Sequence, residues 1–183
     1  MANKGYMIER RISAKDVEAL NLTGYAETDV DGGALVTITD ARADDTFTIE
    51  LAEAGVEGEV YMAYNPSVHY IEINGKLVAG GEISIDPRDY TNIKGQPVDI
   101  FKLVAGVDRV TLTAGNILST DLASLAKGDE LIPTTGGFFT RTGAIANQVV
   151  LEVEKVKTLP FPKAGIGMEH VKAVDCVVKI KTA

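Results

Sequence analysis

The feature that most constrains this chain is the density of its turn signals. Asp31-Gly32-Gly33, Asn65-Pro66, Asn74-Gly75, Gly80-Gly81, Gly128-Asp129 and Gly136-Gly137 break the sequence at short intervals. Each combines residues that tolerate positive φ or fix a bend. The runs between them are too short for long helices and carry the two-residue period of half-buried strands. Phe47, Ile49 and Leu51 alternate with Thr48 and Glu50, and Val174, Cys176, Val178 and Ile180 alternate with residues that include Asp175, Lys179 and Lys181. The same reading predicts strands over 35–39, 59–64, 69–73, 83–85, 100–104, 109–113, 131–132 and 149–156. Asn74-Gly75, flanked by Ile71, Ile73, Leu77 and Val78, fits a type I′ hairpin turn. The pattern predicts a mainly β protein, a short-stranded β-sandwich or β-barrel with one or two short helices.

Ser13-Ala14-Lys15-Asp16 ahead of Val17 and Leu20 has the form of a capped helix start that Asn21, Thr23 and Gly24 end early. Ser119 and Thr120 before Leu122, Leu125 and Ala126, with Gly128 to terminate, predict a second short helix. Polar and turn residues cluster from Asp86 to Pro97. The expected organisation is an N-terminal arm over 1–15, a β-rich half over 16–90 and a second over 98–183, as separate domains or one continuous unit.

Composition narrows the class. A chain of 183 residues, 45% of them hydrophobic, buries a core without help, which excludes disorder. The single Cys176 excludes a disulfide framework and a CxxC motif, so a reducing compartment is expected. Met1-Ala2-Asn3-Lys4-Gly5 leads into no apolar secretion segment, and no apolar run approaches the roughly 18 residues of a membrane span. A soluble, unexported protein with no membrane partner is the expectation. Charge is uneven: residues 1–15 net +3, residues 150–183 net +2, and the 134 residues between them net −13, giving −8 in all. An acidic body repels phosphate, so no direct nucleic-acid partner is expected, and the basic N-terminal end suits an acidic surface.

The search for chemistry yields no catalytic set, no metal site and no cofactor. His69 and His170 lie far apart in sequence, and His69 shares an alternating run with Ile71 and Ile73. Cys176 occupies the apolar side of its strand, the place of a small buried hydrophobe. Asp29-Val30-Asp31-Gly32 opens like a calcium loop, but Gly33 replaces the third ligand and no Glu follows at the twelfth place, so it reads as a turn. Gly165-Ile166-Gly167 lacks the third glycine of a dinucleotide loop. Asp86, Asp89 and Asp99 read as solvated turn residues. Val107-Asp108-Arg109 and Gly128-Asp129-Glu130 each set an Asp just before a strand, as similar turns.

Two apolar segments look outward. Adjacent Phe138 and Phe139 in a Thr/Gly-rich loop cannot both face one core, and Phe161 lies in Leu159-Pro160-Phe161-Pro162, where the prolines are expected to end any ladder. Phe138, Phe139 and Phe161 are therefore candidate subunit contacts. Lys4, Tyr6, Ile8, Arg10 and Arg11 mix apolar and basic character without a turn signal after Gly5. Such a segment adds as a strand to a neighbour's open edge, or folds back as an edge strand of its own domain.

The stretches Gly5-Tyr6-Met7-Ile8-Glu9-Arg10-Arg11-Ile12, Gly33-Ala34-Leu35-Val36-Thr37-Ile38, Glu59-Val60-Tyr61-Met62-Ala63-Tyr64-Asn65-Pro66 and Gly128-Asp129-Glu130-Leu131 resemble small tailed-bacteriophage head proteins encoded beside the major capsid protein. The likeness extends over residues 5–155, in layout more than in a diagnostic motif. It implies a non-enzymatic capsid decoration protein, assembled in the host cytoplasm onto the virion, that binds the major capsid protein lattice from outside as a homotrimer. The five basic and apolar residues of the arm are then the candidate capsid anchor. A tail or baseplate component of the same virion is the second reading. A small β-barrel enzyme or ligand-binding module using His69 or His170 is the third.

Overall fold

The computed structural model describes residues 4–15, 17–42, 44, 46–56, 59–66, 69–73, 76–80, 88, 90–141, 143, 148–163 and 167–181. The chain is mainly β. In order it forms β1 (Met7–Arg11), β2 (Asn21–Ala26), β3 (Leu35–Ala41), β4 (Phe47–Leu51), β5 (Tyr61–Ala63), β6 (His69–Ile73), β7 (Lys76–Gly80), β8 (Pro97–Lys102), β9 (Arg109–Thr113), the one-turn helix α1 (Ser119–Leu122), β10 (Glu130–Thr134), β11 (Phe138–Thr140), β12 (Val149–Lys163) and β13 (Gly167–Ile180). Both predicted helices shrink: Ser13–Lys15 and Glu18–Leu20 are single 3-10 turns, and α1 stops at Leu122. Single turns cannot nucleate helix, because each fixes several dihedrals for one hydrogen bond.

Five strands close a barrel in the order β2-β4-β3-β5-β8. Alternation along its strands sorts the side chains between two cores. Val36, Ile49, Tyr61, Ala63, Val98 and Ile100 point into the barrel and fill it. Their neighbours Leu35, Met62 and Phe101 point outward, into a second cluster shared with Met7, Leu112, Leu151, Val174 and Cys176. The period of two thus makes one wall of the barrel apolar on both faces.

That outer wall packs against a six-stranded sheet in the order β1-β9-β13-β12-β10-β11. β12 and β13 form its longest ladder, from Val149↔Ile180 to Lys163↔Gly167. β9 pairs β13 only as far as Thr113↔Ala173, and β10 pairs β12 only at Glu130↔Glu152 and Leu131↔Leu151. The distal part of the ladder therefore runs on as a two-stranded ribbon. β6 and β7 pair separately from Ile73↔Lys76 to His69↔Gly80, the register of a two-residue hairpin, with Asn74 and Gly75 outside the described residues. Predicted strand 83–85 also lies outside them.

Three expectations are corrected. The predicted boundary over 86–97 falls in the wrong place, because β8 joins β2 and β5 and closes the barrel. The chain crosses from barrel to sheet after Lys102, and the two units share one apolar cluster, so the split into 16–90 and 98–183 gives way to a single body. Nor do residues 4–15 stand apart as an arm: of the two settings the segment allowed, β1 takes the edge strand of its own sheet, pairing Met7↔Leu112 and Ile8↔Thr111. Finally, the ladder continues through the prolines, with Pro160↔His170 and Pro162↔Met168 in register. Two residues apart, both prolines turn their missing N–H to the same side of β12, the outer edge that β10 has already left, so no ladder bond is lost.

Candidate interaction surface

The N-terminal segment is fastened where barrel and sheet meet. Gly5 N–H donates to Asp31 Oδ2 (2.8 Å), whose other oxygen accepts from the Thr91 hydroxyl (2.6 Å). Tyr6 N–H donates to Asn116 Oδ1 (3.0 Å), while Asn116 Nδ2 donates to the Gly32 carbonyl (2.8 Å). The Asn65 amide acts as a one-residue partner strand, accepting from Met7 N–H (2.9 Å) and donating to the Met7 carbonyl (2.6 Å). This crowding explains the glycines. A Cβ on Gly5 would lie 2.4 Å from Asn116 Nδ2, and Gly33, at φ +85°, would set one 2.9 Å from the Met7 Cβ.

The five predicted anchor residues thus have different surroundings. Lys4 is exposed, and its N–H donates to the Arg88 carbonyl (2.9 Å). Tyr6 is half-buried, edge-on to Phe161 with ring centroids 5.8 Å apart. Ile8 is half-buried on the sheet face opposite Met7. Arg10 is held by Glu154 at 2.7 Å, and Arg11 is exposed with no ion pair among the described residues.

Arg10 belongs to a charge network across the strands β1, β9, β13 and β12. Arg109 also reaches Glu154 (3.1 Å), and Lys157 lies 2.7 Å from Asp175, which accepts from the Thr111 hydroxyl as well. Burial works against the charge on Asp175, yet the Lys157 ammonium and the Thr111 hydroxyl outweigh it and hold the carboxyl below the ordinary carboxylate range. Arg10, with Arg109, lowers Glu154 likewise. A folded-state pKa below the unfolded one stabilises the native state above the unfolded value, and the contribution is lost as pH falls through the folded value. Thermal stability is therefore expected to hold at neutral pH and to fall on acidification below about pH 4, with a shallower acid limb in Asp175→Asn. A melting-temperature series across pH 2–7 checks this, and an unchanged limb in the variant counts against it.

Of the predicted subunit contacts, one faces outward. Phe139 is fully buried and Phe161 nearly so, packed between Tyr6 and the Arg88 guanidinium, 4.6 Å from its ring. Arg88 is itself 1% exposed and pairs with Glu169 at 2.7 Å. Phe161 is thus committed to its own chain. Phe138, next to Phe139 on β11 and so on the opposite face, is 39% exposed. It lines a groove of about 730 Å³ together with Ile117, Leu118, Leu122, Lys4, Asp29 and Asp31.

Other candidates are occupied by structural work. A recess of about 460 Å³ lies over Asn21, Thr23, Tyr64 and Asp99, but the Tyr64 hydroxyl donates to Asn21 Oδ1 (3.2 Å) and the Thr23 hydroxyl to Asp99 (3.3 Å). Asp29 accepts from Lys94 N–H (2.9 Å), and with Asp31 also engaged the calcium-like sequence forms a turn. Burial drives the Cys176 thiol well above its ordinary pKa, removing the reactive thiolate. His170 is exposed on the ribbon; Asp86 and Asp89 lie outside the described residues.

Sequence reasoning missed the fasteners Asn65, Asn116 and Asp108. Asp108 is fully buried, and its carboxylate accepts from Ser13 N–H and hydroxyl (both 2.7 Å) and Val104 N–H (2.8 Å). Its resemblance to Asp129, which accepts from Ala126 N–H (2.9 Å), was the available signal: each carboxylate closes the turn before its strand. No protein-family model, no curated protein and no solved structure matches the chain.

Proposed function

We propose that this chain is a structural protein of a tailed-bacteriophage virion, a decoration protein that binds the outside of the assembled head and stabilises it. In this reading it acts by contact and not by catalysis, sits on the major capsid protein lattice as a homotrimer, and is assembled there in the host cytoplasm. Support comes from the resemblance carried by residues 5–12, 33–38, 59–66 and 128–131. Three of those stretches supply Gly5, Gly33 and Asn65 to a single fastening point. A cement must transmit force without yielding, and hydrogen bonds that tie the N-terminal segment to both barrel and sheet suit that role.

The observation that carries the reading is the pair Lys4 and Arg11, exposed at either end of an edge strand beside a strongly acidic body. They give an acidic lattice something to hold beside the stretch 16–149, which nets −13 and would repel it. Since both side chains are exposed, Lys4→Glu with Arg11→Glu is expected to leave the fold intact. Binding to undecorated heads is expected to weaken about tenfold at low salt, two surface charge reversals being worth roughly 1–2 kcal/mol together. Titration of purified shells reads it. A folded double variant that saturates shells with wild-type affinity at low salt sinks the reading.

A further inference from the structure

The internal bonds of the recess over β2 and β8 also determine what it can take up. On this side of the barrel Leu22 and Ile100 turn inward, so Asn21, Thr23 and Asp99 stand outward, with Thr23 directly across from Asp99. Tyr64 lines the recess beside them. Its N–H donates to the Asp99 carbonyl (2.9 Å), its carbonyl accepts from Asn92 Nδ2 (3.0 Å), and its ring lies against Phe101 with centroids 4.6 Å apart. Tyr64 is therefore fixed before any ligand arrives. The volume of about 460 Å³ falls within the range of about 300–1,000 Å³ usual for small-ligand sites.

The donors of the recess are already engaged. The Tyr64 hydroxyl hydrogen goes to Asn21 Oδ1 and the Thr23 hydroxyl hydrogen to Asp99 Oδ1. Asn21 Nδ2 is turned to the Ala14 carbonyl and Asn65 Nδ2 to the Met7 carbonyl, both at 2.6 Å. What remains on offer is oxygen: the lone pairs of the two hydroxyls and the Asp99 carboxylate, whose Oδ2 receives no donor and which has no ion pair among the described residues. No lysine or arginine lines the recess among the described residues. Burial, and then the carboxylates of Glu9, Asp99 and Asp108, push the Tyr64 phenol above its ordinary pKa, so the field is negative there even with Lys15 paired to Glu9. A neutral polyol brings acceptors that meet no donor, and a phosphate or carboxylate meets Asp99. A calcium ion takes about six to eight oxygens and finds one carboxylate. A guanidinium, by contrast, carries donors only, in a planar fork that matches a carboxylate and packs beside an aromatic ring.

We propose that the recess binds the guanidinium of an arginine side chain on a protein partner, with the fork directed to Asp99 and Tyr64 beside it. A lysine ammonium satisfies Asp99 alone, whereas the wider spread of guanidinium N–H groups also reaches the hydroxyl oxygens. Free arginine is the poorer fit, because its α-carboxylate finds neither cation nor donor among the lining residues. This contact is separate from that of Lys4 and Arg11 and its test needs no phage heads, so each reading stands or falls alone.

The probe is N-acetyl-arginine N-methylamide, titrated into the full chain and followed through the backbone amide resonances by NMR. Those of Thr23, Tyr64 and Asp99 are expected to shift together and to saturate. The equally capped lysine is expected to bind several-fold more weakly, and the capped citrulline, which keeps the shape without the charge, not to saturate. Asp99→Asn is expected to lower the affinity about tenfold at an unchanged melting temperature, since this exposed side chain accepts a single long internal bond. Absence of a saturable shift in wild type overturns the proposal, as does capped citrulline binding as well as capped arginine, or a folded Asp99→Asn chain with wild-type affinity. Free arginine binding more tightly than the capped residue overturns the protein-borne source, and calcium chloride moving the same resonances at lower concentration overturns the guanidinium.

Discussion

Deleting residues 2–11 is expected to abolish the cooperative unfolding transition altogether, by both circular dichroism and calorimetry. The deletion removes β1 from β9 and with it Met7, which is fully buried in the cluster between barrel and sheet. Truncating one buried methionine to alanine costs about 2–5 kcal/mol, against a total stability of about 5–15 kcal/mol for an ordinary domain. The deletion also leaves the Asn65 amide, Asn116 Oδ1 and Asp31 Oδ2 without the backbone groups of residues 5–7 that they now bind. Losses on several fronts at one junction exceed what such a domain has in reserve. A truncated protein that melts sharply within a few degrees of wild type would show that β1 is an accessory strand. Shell-binding experiments on this truncation would therefore report unfolding, which is why charge reversal at Lys4 and Arg11 is the better probe of the lattice contact.

Asn116→Ala is expected to cost about 1–3 kcal/mol, read as a fall in denaturation midpoint and of about 5 °C in melting temperature. The side chain is 1% exposed and serves two chain segments. Its oxygen accepts from the N–H groups of Tyr6 (3.0 Å) and Thr113 (3.2 Å), and its nitrogen donates to the Gly32 carbonyl. Alanine orphans the Gly32 carbonyl, at about 1–3 kcal/mol, whereas the Tyr6 N–H keeps the Thr113 hydroxyl (3.2 Å) and the Thr113 N–H keeps the Tyr6 carbonyl (3.1 Å). A loss below about 1 kcal/mol would mean that water or a backbone shift replaces the amide.

What the sequence made legible was whatever is local. The two-residue period located β4, β6 and β9 to the residue, because each is bounded by turn chemistry or a change of period within a few positions. Phe138 and Phe139 had to point opposite ways, and they do. The rest depends on partners far along the chain. That β1 folds back is decided by β9, about a hundred residues away, and by the Asn65 and Asn116 amides, which in sequence look like any turn asparagine. β2 carries no clean alternation: Asn21, Thr23 and Gly24 read as a helix stop, yet closure of the barrel between β4 and β8 recruits them as strand. Pro160 and Pro162 end a ladder only if their nitrogens face a partner, and which edge is open depends on how far β10 extends. Of the candidate surface, the exposed Phe138 was visible in the sequence; the groove beside it is assembled from the turn at Asp29–Asp31, the segment around α1 and the N-terminal segment at once.

The strand order of the sheet also sets a timetable for synthesis. β13 carries the last residues of the sheet, ending at Ile180, yet it is inserted between β9 and β12 near the centre. Until the ribosome has released it, the β1-β9 pair and the β12-β10-β11 group have no strand to join them, and the apolar faces of Val110, Leu112, Leu151 and Val153 await Val174, Cys176 and Val178. Most pairings of this kind span long stretches of chain, which slows folding through the entropy of closing large loops. The barrel, complete once Lys102 has emerged, is the part able to form early, while the sheet assembles in a single late step from segments that are prone to associate with other nascent chains in the meantime. Completion of the sheet thus waits on β13, a fourteen-residue strand, finding its slot between β9 and β12.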